Sequence, residues 1–363
     1  MSDRGAEDTA KAAGPPSRKR RGRGLALTLL IVVVLGALGL SAVRFVLSPV
    51  SATTATVEFE VLPGWGGARI ADALEAAGLV RSALAFEVLL RLTELDRKMG
   101  EGLYDLAPAM SSREIAAALA AGGRPRTVRI VIPEGWRAAA VVARLAANGL
   151  GEEPELAALV RSPGELAPPG LPEGASLEGY LFPASYDLPV RTSASQALAA
   201  LVARFEDELT GDVVADLAAS GLRVHEWVTL ASMVQAEAAS VEEMPIIAGV
   251  FRNRLDDEML LQSDPTVAYG LGKALPELDA LAGDLRKDTP WNTYTRPGLP
   301  EGPIGNPGRE ALLAVLEPQR LDPNGVPYLY FLHGTDAGQP VFRPNTNLQA
   351  HNRDVDRYLR NRQ

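Results

Sequence analysis

The sequence predicts an α+β protein carried behind a single N-terminal transmembrane helix, and three observations lead there. Residues 25–43 form one uncharged apolar run. Beyond it, short alternating stretches bounded by Gly and Pro are interspersed with longer stretches in which apolar residues recur at helical spacing. At 363 residues and 47% hydrophobic content, the chain can bury a large core in two or more folded units.

The first 23 residues are polar and end in the basic stretch Ser17-Arg-Lys-Arg-Arg-Gly-Arg-Gly24, which reads as a disordered tail. The run that follows, LALTLLIVVVLGALGLSAV, is just long enough at ~1.5 Å per residue to cross a hydrocarbon core of ~30 Å. Its basic N-terminal flank assigns that side to the cytoplasm. A cleaved signal peptide is the rival reading, but the run is longer than a typical signal core and no small-x-small site follows it directly. Either way, the residues after Arg44 are expected outside the cytoplasm.

Composition narrows the function of that outer part. The tail holds seven Lys or Arg and three Asp or Glu; removing these from the totals of 36 and 45 leaves 29 basic and 42 acidic residues, a net of −13. Such a body has no electrostatic reason to bind nucleic acid. No G-x-x-x-x-G-K-[ST] loop is present, and the Gly64-Trp-Gly-Gly67 cluster lacks the spacing of a dinucleotide fingerprint. Cysteine is absent, and His225, His333 and His351 lie far apart with no HExxH pair, so neither a metal nor another cofactor is expected.

After a linker at 45–56, residues 56–62 alternate as a strand, 68–77 read as a helix stopped by Gly78, and 83–98 as a second helix. Residues 102–106 form a short strand, and Ser111 or Ser112 caps a helix over 112–121 ahead of Glu114. The order β-α-α-β-α fits a small module of helices on a two-stranded sheet. A weak repeat follows, because VLPGWGGARIADALEAAGL from Val61 aligns with VIPEGWRAAAVVARLAANGL from Val131 with one inserted residue. Each copy reads as strand, Pro/Gly turn and amphipathic helix. Residues 163–172 are a Pro-rich loop, Leu177-Glu-Gly-Tyr-Leu-Phe-Pro183 opens a new apolar segment, and 192–217 carry one helical pattern.

The segment 224–239, VHEWVTLASMVQAEAA, organises the second half. At about 3.6 residues per turn, Glu237 falls on the side of Leu230, Met233 and Val234. A Glu in that position is either a solvated residue near a helix end or a desolvated general acid. A free Glu with a pKa of about 4.3 is protonated in only about one molecule in 500 at neutral pH, so the second role needs apolar surroundings. Residues 244–255 continue as a helix, and Ser263-Asp-Pro-Thr266 reads as a turn or cap. The stretch 289–308 is too rich in Pro and Gly for regular structure, yet carries Trp291, Asn292, Thr293 and Tyr294, groups suited to stacking on and bonding a sugar chain. A helix over 308–316, strands at 328–332 and around Val341 and Phe342, and a helix over 348–360 close the chain.

These blocks closely resemble the endolytic murein transglycosylases (MltG, or YceG-like). The resemblance rests on Leu177-Glu-Gly-Tyr-Leu-Phe-Pro183, Leu230-Ala-Ser-Met-Val-Gln-Ala-Glu237, Val250-Phe-Arg-Asn-Arg-Leu255, Gln262-Ser-Asp-Pro-Thr266, Asn292-Thr-Tyr294, Gly298-Leu-Pro-Glu-Gly-Pro-Ile304 and Asn306-Pro-Gly308, in the family's order and at comparable spacing. It covers nearly the whole chain beyond the anchor. It implies a cytoplasmic tail at 1–23, an inner-membrane helix at 24–44, a LysM-like module at 57–125, and a mixed α+β catalytic domain at 126–363 in the periplasm. The implied activity is lytic cleavage within peptidoglycan glycan strands, between N-acetylmuramic acid and N-acetylglucosamine, leaving 1,6-anhydromuramic ends. The cell-wall synthesis machinery is the implied partner.

The family's catalytic Glu matches Glu237, while an earlier acidic position of the same block is Gln235 here. Many relatives carry a His where this chain has Pro340, but His351 and Asn352 match a closing His-Asn pair. Candidate sugar contacts are Gln262, Asp264, Thr266, Asn292, Thr293, Tyr294, Asn306, His351 and Asn352. Asp264 and Asn306 each adjoin a proline and are equally readable as turn caps. Glu178 is either a substrate contact or a buried structural partner. Two rivals stand beside the lytic reading: a wall-binding scaffold without catalysis, and a hydrolytic muramidase using Glu178 or Asp264 as its second carboxylate.

Overall fold

The computed structural model describes residues 19–360, and side chains from residue 27 onward. Most of the expected basic tail, residues 1–18, therefore lies outside the described residues. Helix α1, Lys19–Val46, contains the segment Leu27–Val46, which is long and apolar enough to cross a membrane. The described chain divides into two compact units, one ending at Arg126 and one beginning at Thr127.

In the first unit β1 (Val57–Val61) pairs antiparallel with β2 (Gly102–Leu106), Phe59 opposite Tyr104. Between them run α2 (Gly67–Ala76) and α3 (Ala83–Thr93), and α4 (Ser112–Ala121) follows. Phe59, Ile70, Leu74, Phe86, Leu106, Ile115 and Leu119 form one core. Ser111 caps α4 in a reciprocal box with Glu114. Helix α3 stops five residues short of the expected 98. Glu94 turns left-handed at φ 55°, and Leu95 donates its N–H to the Leu90 carbonyl while its side chain packs on the core.

The second unit opens with the same order of elements. Strand β3 (Thr127–Val131) leads through a Pro/Gly turn to α5 (Ala138–Ala147) and α6 (Glu153–Arg161), and β4 (Ser185–Pro189) returns antiparallel to β3 before α7 (Ala194–Glu206). The repeat seen in the sequence thus extends to a full β-α-α-β-α order. Trp65 is covered by Arg69 at 5.0 Å, and its counterpart Trp136 by Arg144 at 4.6 Å. Gly78 and Gly149 both take positive φ after their helices. Neither α6 nor β4 was expected, and the continuous pattern over 192–217 breaks into α7 and α8 (Gly211–Ser220), where Thr210 caps the second helix.

The remaining elements surround α9 (Val224–Glu237). Every residue from Trp227 to Val234 is buried, so this helix has no polar face along its middle. Its polar side chains are satisfied internally: Trp227 Nε1 donates to Leu312 O, Thr229 Oγ1 to His225 O, and Ser232 Oγ to Thr229 O. Around it pack α10 (Met244–Asp256), α11 (Asp264–Gly270) and α12 (Arg309–Leu316), with α8 packed on α12. The hairpin β5 (Tyr330–Asp336) and β6 (Gln339–Asn345) is longer than expected, turning through Ala337 and Gly338 at φ 48° and 81°. Helix α13 (Leu348–Val355) continues into a π turn over Asp356–Arg360.

Gly249 sits in α10 where residues 319 and 320 cross it, and a Cβ there would lie 2.1 Å from the Gln319 carbonyl oxygen. Backbone cannot rotate aside as a side chain would, so Gly249→Ala is expected to destabilise the fold by at least ~2 kcal/mol. Gly211→Ala, which meets nothing within 4 Å, is the control. Equal midpoints for the two variants in denaturant titration would refute the packing argument.

Candidate active site

Glu237 is the last helical residue of α9, and Ala238 already takes extended backbone. It opens onto a cleft of about 660 Å³ whose walls include Arg254, Leu261, Gln262, Asp264, Tyr294, Tyr330, His333, His351 and Asn352. Burial pushes the Glu237 carboxyl up to about 7, and the charge of Asp264 adds to the rise. The unpaired carbonyls at the end of α9 act in the same direction, because they disfavour a negative charge. Ser263, His333 and Arg254 oppose the shift without cancelling it.

Three of the opposing groups escaped the sequence reading. Ser263 Oγ donates to Glu237 Oε1 at 2.6 Å. Arg254 is buried beneath the cleft, with Nε on Leu329 O and Nη1 on Leu260 O and Leu261 O, and its guanidinium stacks on Tyr330 at 5.0 Å. His333 faces Glu237 from β5 while its Nε2 contacts Glu243 Oε2 at 2.9 Å. Arg254 had a legible signal, since it continues the apolar stripe of Ile247, Val250 and Phe251 at helical spacing. His333 depends on a hairpin register that periodicity does not give.

The expected sugar contacts divide into two sets. Gln262, Asp264, Tyr294, His351 and Asn352 line the cleft with Glu237. Tyr294 donates its hydroxyl to Asp264 Oδ1 at 2.5 Å, and His351 stacks on Tyr330 with its Nδ1 buried and unpartnered. Asn292, Thr293, Thr266 and Asn306 instead face inward, each at most 1% exposed. Asn292 Nδ2 donates to the Leu285 and Lys287 carbonyls and its Oδ1 accepts from Tyr294 N. Asn306 Oδ1 accepts from Leu181 N and its Nδ2 donates to Trp136 O. Thr266 and Thr293 bond each other and the Ser263 backbone. The expectation of direct sugar contact is therefore corrected for these four. Their polar groups are consumed in holding loops that contain few backbone hydrogen bonds of their own.

Glu178 is buried too, and desolvation pushes its carboxyl up to about 7. It accepts from Ala138 N at 2.8 Å and from the Tyr269 hydroxyl at 3.1 Å. It borders a different cavity of about 370 Å³, shared with Ser176, His225, Tyr269 and Trp291, that has no wall residue in common with the Glu237 cleft. Gln235 also points elsewhere, its Oε1 accepting from Gly308 N. Among the described residues, no three His, Cys, Asp or Glu side chains cluster as a metal site would require.

Fold and cleft together define a two-unit α+β protein with one desolvated acid at the end of a buried helix, open to a polar groove. The profile of the YceG-like family matches residues 59–357, and the chain belongs to that family. It is 30% identical over 317 residues to an endolytic murein transglycosylase of Streptococcus pneumoniae, across 80% of this chain and 56% of that protein. It is 35% identical over 183 residues to one of Bacillus subtilis, across 50% and 48%. The matches thus span about half the length of these relatives. The crystal structure of a yceG-like protein from Listeria monocytogenes superposes with a TM-score of 0.54 at 29% identity, covering 82% of this chain and 98% of that one.

Two acids raised to about 7 carry a stability signature. The fold favours their protonated forms, so that contribution is complete below the ordinary value of 4.5 and is lost as pH rises through about 7. Glu237→Gln keeps the shape and removes the titration. It is expected to stabilise the protein by ~1–2 kcal/mol at about pH 8 and by nearly nothing at about pH 5, discounted for the open side of the cleft. Chemical denaturation at both pH values measures this, and an equal gain at each would contradict the assignment.

Proposed function

We propose that the chain is an endolytic peptidoglycan lytic transglycosylase in which Glu237 is the single general acid and base. The observation that carries this reading is one desolvated carboxyl, raised to about 7, standing in the cleft while the other buried acid, Glu178, borders a separate cavity. An ordinary glycosidase needs two carboxylates about the scissile bond. A lytic enzyme needs one, because the sugar supplies its own nucleophile. The names of the curated relatives support the same activity.

In the first step protonated Glu237 donates to the glycosidic oxygen, the bond to muramic C1 breaks, and N-acetylglucosamine leaves as the alcohol. The cationic character at C1 is then met by the muramic C6 oxygen. Its proton passes to the Glu237 carboxylate as the new C1–O6 bond closes the 1,6-anhydro ring, which restores the acid. No water enters the balance. Gln262, Tyr294, His351 and Asn352 are the groups we assign to holding the strand. The apolar helix α1 anchors the protein with its N-terminus in the cytoplasm and both units on the wall side of the inner membrane. The first unit, 57–125, acts as a LysM-like glycan-binding module, a reading its β-α-α-β-α order supports. The cell-wall synthesis machinery is the expected partner.

Asp264 shares the cleft with Glu237, which keeps hydrolysis as the competing chemistry. Mass spectrometry of strands digested by the purified chain decides between them, since a hydrolysed end is heavier than an anhydro end by one water. Anhydro ends are expected. Glu237→Gln should lower turnover by at least ~100-fold. Retained function in that variant would favour a scaffold. In the wild type, kcat/KM should be level in mild acid and fall as pH rises through about 7, where Glu237 loses its proton. A rate that rises through that pH would exclude Glu237 as the acid.

A further inference from the structure

Ser263 lies between Gln262, which turns left-handed at φ 52°, and the first residue of α11. It is 1% exposed, and a closed set of hydrogen bonds fixes its backbone. Its N–H donates to Thr293 Oγ1 at 2.9 Å, and its carbonyl accepts from Thr266 Oγ1 at 2.6 Å. Thr266 Oγ1 and Thr293 Oγ1 are 2.9 Å apart. A hydroxyl carries one proton, and that of Thr266 is spent on the Ser263 carbonyl, so Thr293 is the donor between the two threonines. The circuit uses only the backbone of Ser263 and leaves its hydroxyl for Glu237.

That hydroxyl donates to Oε1 at 2.6 Å. Among the described residues nothing hydrogen-bonds Oε2, which is also absent from the fully buried unpartnered atoms. We propose that Ser263 is a positioning residue: by holding Oε1 it assigns the exchanged proton to Oε2, and its bond tightens as the carboxyl ionises. A hydroxyl bonded to a carboxylate is roughly twice as strong as one bonded to a neutral acid. Ser263 thus stabilises the state formed as the proton leaves, more than the resting state, and so acts on kcat rather than KM. This rests on Glu237 being the general acid.

The other groups facing Glu237 stay in place when Ser263 is changed. Asp264 at the start of α11 raises the carboxyl, while Arg254 from α10 and His333 from β5 lower it, and the Tyr294 hydroxyl is committed to Asp264. Ser263→Ala deletes one oxygen and leaves the backbone circuit intact; Ser263→Thr restores the hydroxyl. Two measurements on the detergent-solubilised full chain separate the possibilities: carbon-13 titration of the Glu237 carboxyl, assigned by its loss in Glu237→Gln, and the pH profile of kcat on isolated peptidoglycan strands.

In Ser263→Ala we expect the titration and the alkaline limb of kcat to move up together by about one pH unit, with kcat on the acidic plateau down by about tenfold and KM little changed. Ser263→Thr should return both toward wild type. The rate deficit of the alanine variant should therefore shrink as pH rises until the two profiles converge, which loosened packing does not produce. An unshifted titration in Ser263→Ala overturns the proposal whatever the rate does. A shifted titration with an unchanged rate profile instead overturns the role of Glu237 as acid, and the proposal with it.

Discussion

Holding the Glu237 carboxyl between burial, which favours its uncharged form, and hydrogen bonding, which favours its ionised form, is the constraint on which the geometry at the end of α9 depends. Burial alone would hold Glu237 neutral permanently. A cation in direct contact would ionise it permanently. The structure does neither: desolvation and the carbonyl end of α9 favour the acid, and a hydroxyl on Oε1 with Arg254 and His333 at longer range favours the carboxylate. A balance of this kind requires fixed geometry, because a small shift of any contributor changes the outcome.

That fixity comes from α9 being buried all round. A helix with one solvated face can rock about its contact stripe, whereas residues 227–234 are all buried, with α10, α11 and α12 packed on the helix. The end of the helix is held from a further direction by the turn after β3. Gly135 N donates to Asn306 O, Asn306 returns bonds to Trp136 O, and the Gln235 side chain takes Gly308 N. The turn that is largely exposed in the first β-α-α-β-α copy is used in the second as a clamp beside the end of α9 that carries Glu237. Glu178, which anchors the start of α5 through Ala138 N and meets Tyr269 of α11, ties the same copy to the far side of the site.

Much of this was legible in the sequence, and for physical reasons. The apolar run of α1, the Pro/Gly turn after β1, the capping box at Ser111 and the helical register of α9 are local signals, set by residues within one or two turns of one another. What was missed depends on partners distant in sequence. Strand β4 is only five residues long and is defined by its pairing with β3, nearly sixty positions earlier along the chain. Helix α3 ends early because Leu95 has a core to enter. Glu208, read inside a continuous helix, breaks the pattern because it is buried between Arg204 and Arg309. At the cleft, the pattern put Glu237 on the apolar side of its helix but could not tell which motif residues line the cleft and which are buried.

That last distinction follows from how a Pro-rich loop is built. Residues 289–308 cannot pair their backbone groups in a ladder, so the loop is fastened by side chains that reach backbone groups beyond it, at Trp136, Leu181, Ser263, Leu285 and Lys287. Asn292, Thr293 and Asn306 do this, and an amide suits it because it offers donors and an acceptor on one short stem. The loop's architecture is what presents Tyr294 and seats Ser263 against Glu237. The wall of the cleft is therefore formed by the more exposed neighbours of these blocks, while the buried members fix the loop and, through Thr293, the backbone of Ser263.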